Sequence, residues 1–175
     1  SMAGFGAFIK IDGFNILPVM SLSMAITTFS GQNYGASKFE RVKKGMWITL
    51  IMSIIYTIIT GTLLYKFAPN VISLFTKETK VIESGVLAAK FFCPFYFLLA
   101  IMHSLAGTVR GTGRTVPPMI ILLVSLCAFR ILAVKFIIPN YNTIENVYML
   151  YPISWAIGTI LMIIYTVKVD WMKHI

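Results

Sequence analysis

Four ionisable side chains, Lys10, Asp12, Lys90 and Arg130, fall inside or beside long apolar runs. If those runs cross a bilayer, a charge near the centre costs roughly 2.5–3.5 kcal/mol on insertion scales, so it needs a partner, a wet cavity or a task. A carboxylate in that setting can take up a proton or hold a cation. Asp12 is followed by Asn15 and Pro18, and Lys10 lies two positions away, off its helical face. Two readings are open: Asp12 is an ion-coupling carboxylate, or Lys10 and Asp12 are interfacial side chains reaching the headgroups. Lys90 lies within a turn of the expected start of an apolar run and can snorkel. Arg130 stands 14 residues after Val116 with apolar neighbours on both sides, so it is expected to face a bundle interior or wet cavity. Its partner is a carboxylate elsewhere, a backbone carbonyl or an anionic lipid group.

Other chemistries have no residues to stand on. Cys93 and Cys127 sit in apolar runs and read as two buried thiols; His103 and His174 have no partner at ligand spacing. The sequence holds no phosphate loop, zinc-protease pair or nucleophile elbow. We therefore expect no enzyme, no metal and no cofactor.

The elements that must carry these residues follow from composition. The chain has 175 residues, 58% hydrophobic and 12% charged, with a mean hydropathy of +0.83 and a net charge of +9. Such a balance excludes a disordered chain, a disulfide-stapled module and a soluble nucleic-acid binder. About 20 apolar helical residues cross a bilayer core, and the sequence supplies such runs repeatedly. We read an all-α, polytopic transmembrane bundle with five spans near 13–37, 46–66, 87–109, 116–137 and 146–167. Between them, the stretch from Pro69 to Gly85 reads as a short interfacial helix followed by a capped one.

Basic residues orient the bundle, since Lys and Arg near span ends are retained in the cytoplasm. Lys38, Arg41, Lys43, Lys44, Arg110, Arg114, Lys168 and Lys173 lie on one side, against Lys66, Lys77, Lys80 and Lys135 on the other. This orients a multi-pass protein with its C-terminus cytoplasmic, and the inner (plasma) membrane is the expected location. The N-terminus then starts outside with no export signal, so a fragment lacking its preceding span is expected. Pro18, Pro94 and Pro152 are expected to kink three spans. The small residues Ser21, Ser23, Ala25, Thr27, Thr28, Ser30 and Gly31 allow close packing of the first. Phe91, Phe92, Phe95, Tyr96 and Phe97 line an apolar cavity, or else face lipid or pack in a core. Gln32 and Asn33 can satisfy helix-terminal carbonyls while Gly35 relaxes into a turn; Gly111 and Gly113 allow a second tight turn between Arg110 and Arg114.

Gln32-Asn33-Tyr34-Gly35-Ala36 followed by Arg41, then Ala106-Gly107-Thr108-Val109-Arg110-Gly111-Thr112-Gly113-Arg114-Thr115 before Pro117, and then Arg130 in the next span, resemble the second half of bacterial multidrug and toxic compound extrusion transporters. The resemblance covers essentially the whole chain. It implies twelve spans in two six-helix lobes, of which this chain holds five from the C-terminal lobe, without the N-lobe. It also implies export of cationic, apolar drugs in exchange for protons or sodium, with Asp12 the local coupling candidate. The expected partners are then the lipid bilayer, the N-lobe of the same transporter and small-molecule drugs, with no nucleic acid. The sodium-coupled branch of that family has an acidic residue eleven positions before the Arg of its Arg-Gly motif; here Leu99 stands there, ahead of Arg110. The alternatives are a lipid-linked saccharide flippase of the same broad superfamily, whose interior Arg residues hold anionic headgroups, and a non-transporting membrane scaffold.

Overall fold

The computed structural model describes residues 2–136 and 144–170. Helices joined by short turns make up these residues: α1 (Met2–Gly35), α2 (Phe39–Ser73), α3 (Thr79–Phe92), a 3-10 turn (Cys93–Phe95), α4 (Tyr96–Gly111), α5 (Val116–Leu122), a π-helical segment (Leu123–Ala128), α6 (Phe129–Phe136) and α7 (Ile144–Lys168). Joined end to end, these make five helices long and apolar enough to cross a membrane: Ala3–Gly35, Phe39–Ser73, Thr79–Gly111, Val116–Phe136 and Ile144–Lys168.

Three of these helices run beyond the stretches read from sequence. α1 begins ten residues or more upstream of Gly13, so Lys10 and Asp12 lie within it and not before it. α2 continues through Pro69 to Ser73, which replaces the separate interfacial helix expected there. Pro69 is accommodated four residues before that helix ends. The third span starts at Thr79, so Lys90 lies well inside the helix and not at its start; its side chain is exposed on the outside of the bundle.

The prolines act unequally. Pro94 interrupts the third span with the 3-10 turn, whereas Pro18 and Pro152 sit inside unbroken α-helix. A proline leaves the carbonyl four residues back without its helical donor. The carbonyl so freed by Pro18 is that of Phe14; its neighbour, the Asn15 carbonyl, accepts a hydrogen bond from Tyr56 OH of α2 at 3.2 Å. The π-helical segment had no signal in the sequence. Its signature is the Phe129 N–H donating to the Val124 carbonyl, five residues back.

The core lies where α1, α3, α4 and α7 meet, around Phe8, Phe92, Tyr96, Met102, Tyr148, Trp155 and Met162. Phe92 and Tyr96 therefore belong to a packed interior, while Phe95 and Phe97 face outward. Leu99 is also core. Outside it, α2 presents Trp47, Ile48, Ile51, Ile55, Ile59 and Leu63, an apolar surface that water would not tolerate and lipid would. Cys93 is buried as expected, but Cys127 is exposed on the outside of the bundle, which corrects the reading of both thiols as buried.

The α1–α2 turn also differs from expectation. Gly35 ends α1 in helical geometry, and the left-handed residue is Ser37, with φ 56°. Asn33 Nδ2 donates to the Phe29 carbonyl at 2.8 Å, within its own helix, while the Gln32 side chain is exposed. The Ala36 N–H bonds the Gln32 carbonyl and the Lys38 N–H bonds that of Asn33, so backbone groups close the helix end. A side chain in left-handed geometry costs roughly 1–2 kcal/mol. Ser37→Val is therefore expected to lower the thermal midpoint in detergent and Ser37→Gly to hold or raise it, measured by tryptophan fluorescence on heating. A Val variant as stable as the parent would show that the turn adopts another conformation. At the second turn, Gly113 does take φ 87°, as read from sequence.

Candidate functional site

Among the described residues, three polar clusters lie within the spans, two joining helices far apart in sequence and one joining the last two spans. The first contains Asp12. α1 turns this residue inward while Lys10, two positions earlier, stays exposed beside Ala7, Phe75 and Glu78. The two are thus separated, as their spacing predicted. Tyr96 OH donates a hydrogen bond to Asp12 Oδ1 across 84 positions of sequence. Tyr96 is 1% exposed, held with its ring 6.0 Å from that of Trp155 on α7. Asn15, buried one turn along the same face of α1, completes the polar strip.

This strip borders the open side of the bundle. Between α1 and α2 lie two apolar grooves of about 520 and 610 Å³; Asn15, Phe14 and Phe67 line one, Pro18, Met52 and Tyr56 the other. A carboxylate tied to a phenol at the edge of an apolar groove can gain or lose a proton, or exchange its phenol partner for a cation, without breaking any backbone hydrogen bond. Among the described residues, no group of three His, Cys, Asp or Glu could hold a metal ion.

The second cluster joins α1 to α4. Ser23 Oγ donates to the His103 carbonyl at 2.7 Å and accepts from Arg110 Nη2 at 3.0 Å. Thr27 Oγ1 reaches both the Ser23 carbonyl (2.7 Å) and the Gly107 carbonyl (2.9 Å). Toward α2, Ser104 Oγ donates to Ser53 Oγ at 3.1 Å. Of the small residues of the first span, Ser23, Thr27, Ser30 and Gly31 thus face α4 at Gly107 and Gly111, whereas Ser21, Ala25 and Thr28 are exposed on the outside of α1. A Cβ on Gly107 would stand 2.6 Å from the Ser23 carbonyl oxygen, and one on Gly111 would collide with Thr27 O and lie 2.6 Å from Ser30 Cβ. Gly111 therefore serves close helix approach, not the turn, which Gly113 makes alone. Arg110 is likewise more than a topology anchor, because its guanidinium ties α4 to α1. Two glycines four apart were the available signal for this interface.

The third cluster contains Arg130. Its Nε donates to Ser154 Oγ at 3.0 Å, and its guanidinium carbon lies 4.1 Å above the ring centre of Tyr151, both on α7. Ser154 Oγ in turn donates to the Tyr151 carbonyl at 2.7 Å. Arg130 and Asp12 are not brought into contact. A run of rings separates them: Tyr151 to Phe92 at 4.8 Å, Phe92 to Trp155 at 5.7 Å and Trp155 to Tyr96 at 6.0 Å.

Residues 1–134 match the MatE family model. The chain belongs to the MatE family. Members of this family are transporters, not enzymes. The MatE chain is 33% identical to the probable multidrug resistance protein NorM of Thermotoga maritima over 139 residues, covering 79% of this chain and 30% of that protein. It is 24% identical to the probable multidrug resistance protein YoeA of Bacillus subtilis over 166 residues, covering 91% of this chain and 35% of that one. It is also 32% identical to an FAD transporter of Shewanella oneidensis over 87 residues, 47% of this chain and 18% of the relative. The chain thus spans about a third of the length of the first two. The MatE helices fit a multi-pass membrane protein, with the bilayer as their surroundings.

Proposed function

We propose that this MatE chain is part of the C-terminal lobe of a twelve-helix, two-lobe secondary active exporter in the inner membrane, with its C-terminus in the cytoplasm. The exporter would move cationic, apolar xenobiotics outward in exchange for protons or sodium, with the N-lobe completing the cavity. The relatives described as multidrug resistance proteins support the substrate class. The basic ends of α1, α2, α4 and α5 support the orientation.

One observation carries the coupling part of this reading. Of six acidic residues in the sequence, Glu40, Glu78, Glu145 and Asp170 lie in loops or end turns, Glu83 lies exposed just past the first turn of α3, and Asp12 alone sits inside a span against a buried partner. An intramembrane carboxylate of this kind marks an ion pathway by default. Proton uptake would remove the charge that Tyr96 OH faces and weaken that hydrogen bond, and Asn15, one turn along α1, lines the groove between α1 and α2. An exporter of this type works by rocking two lobes around a shared site.

The test is export of a fluorescent cation such as ethidium from proteoliposomes holding the full-length transporter. Transport should follow an imposed proton or sodium gradient and stop when that gradient is collapsed by an ionophore. Transport that ignores both gradients would overturn antiport; movement of lipid-linked sugar in place of dye would favour the flippase.

A further inference from the structure

The Arg130 cluster is not used by cation coupling, and its surroundings define a different chemistry. Arg130 lies 14 residues into a 21-residue span, and its partner Ser154 lies ten residues into the 25-residue α7. At about 1.5 Å per residue, both sit within roughly 6 Å of the middle of their helices. Arg130 lies six residues before the end of its span, about 9 Å along the axis, a distance it could cover only by stretching its side chain along the helix. It is nevertheless held in place. Ser154, with 0% exposure, takes up Nε, and Tyr151 supports the planar face from below.

The charge itself has no counterpart among the described residues. Among the described residues the one ion pair joins Lys43 to Glu40, and Asp12 is engaged with Tyr96 behind the rings of Phe92 and Trp155. Glu145 stands nine residues before Ser154 on α7, roughly 13 Å along its axis. A guanidinium has five N–H donors, and Nε spends one. The four on the terminal nitrogens bond to none of the described residues, and Arg130 is half-buried, so one side of it is open. Terminal nitrogens fixed in orientation by Nε and stacked on an aromatic ring present the forked geometry that takes a carboxylate or phosphate in two parallel bonds.

We infer that Arg130, positioned by Ser154 and Tyr151, forms an oxyanion subsite at mid-membrane depth for a carboxylate or phosphate carried on an apolar body. Tyr151 contributes a ring edge to that body beside the charge. The oxyanion comes either from a transported amphiphile or from the headgroup of an anionic lipid drawn into the bundle. The inference leans on the transporter reading for the first source and not for the second. Its test is equilibrium binding, which needs no gradient, so it can fail while antiport stands and the reverse.

The probes are rhodamine B, which keeps a free carboxylate, and rhodamine B ethyl ester, which differs only in having that carboxylate blocked. Binding to the purified full-length transporter is read by fluorescence anisotropy. Arg130→Gln is expected to weaken rhodamine B about tenfold and the ester less than twofold. Ser154→Ala, which leaves the charge but frees its orientation, should weaken rhodamine B by a smaller factor, and Arg130→Lys should restore part of the loss. A second arm measures retention of spin-labelled phosphatidylglycerol against phosphatidylcholine. Selective loss of phosphatidylglycerol in Arg130→Gln, with both dyes unaffected, identifies the lipid as the source. Equal changes for the two dyes together with unchanged lipid retention, in Ser154→Ala as well as in Arg130→Gln, would overturn the subsite and leave Arg130 as a packing device.

Discussion

Asp12→Asn is expected to reduce gradient-driven dye export at least tenfold while changing equilibrium dye binding less than threefold. The amide has nearly the volume of the carboxylate and keeps an oxygen to accept the Tyr96 hydroxyl, so the α1–α4 contact survives. It cannot ionise. An antiporter needs its coupling group to exchange an ion once per cycle, so a fixed neutral side chain removes the cycle without removing the cavity. Tyr96→Phe separates the two roles: it keeps the ring against Trp155, leaves the carboxylate ionisable and should affect export far less. The measurement is initial export rate in proteoliposomes, with binding by anisotropy on the same preparation. Unchanged export in Asp12→Asn would remove Asp12 from coupling and return it to the structural reading.

The second large effect is on assembly. Gly107→Leu and Gly111→Leu should each destabilise the bundle by about 3 kcal/mol or more, the upper end of overpacking costs, because the atoms in the way are backbone. At Gly107 the obstacle is the Ser23 carbonyl at 2.6 Å from the added Cβ, and at Gly111 it is the Thr27 carbonyl. Neither can swing aside as a side-chain tip would. Separating the helices would also break the Ser23, Thr27 and Arg110 hydrogen bonds that cross the interface. The readout is the monodisperse fraction in detergent and its melting midpoint. Gly113→Ala supplies the contrast, since no atom lies within 4 Å of an added Cβ and only its φ of 87° opposes the change. If the Leu variants melt like the parent, α1 and α4 do not pack as described.

How much of this could be read from the sequence depends on the range of the signal. Five spans were legible because each is a local run of apolar residues, and Pro94 and Gly113 acted as their types predict. The start of α1 was not, because Lys10 and Asp12 look like a boundary until Tyr96, 84 positions away, supplies a partner for one of them. Asp12 was found by its rarity; Asn15 was noted, and Tyr56 was missed because a tyrosine in an apolar run looks like any other aromatic. Arg130 was legible as an oddity, but Ser154 and Tyr151 were not, since nothing local ties a serine on one helix to an arginine on another. The turn at Ser37 shows the opposite error: Gly35 was the obvious residue for it, yet the backbone turned two positions later.

The π-helical segment between Leu123 and Ala128 bears on Arg130 in a way that concerns winding. An α-helix advances about 100° per residue, and a wider turn absorbs an extra residue without lengthening the rod much. Everything downstream is therefore rotated relative to α5, and Ser125, whose hydroxyl donates to the Ile121 carbonyl at 2.7 Å, sits inside the widened turn against Gly158 of α7. Were this turn to tighten to α pitch, the guanidinium would swing about a quarter of the way round its axis and leave Ser154 behind. The angular setting of Arg130 toward α7 is thus held by the pitch of a single turn.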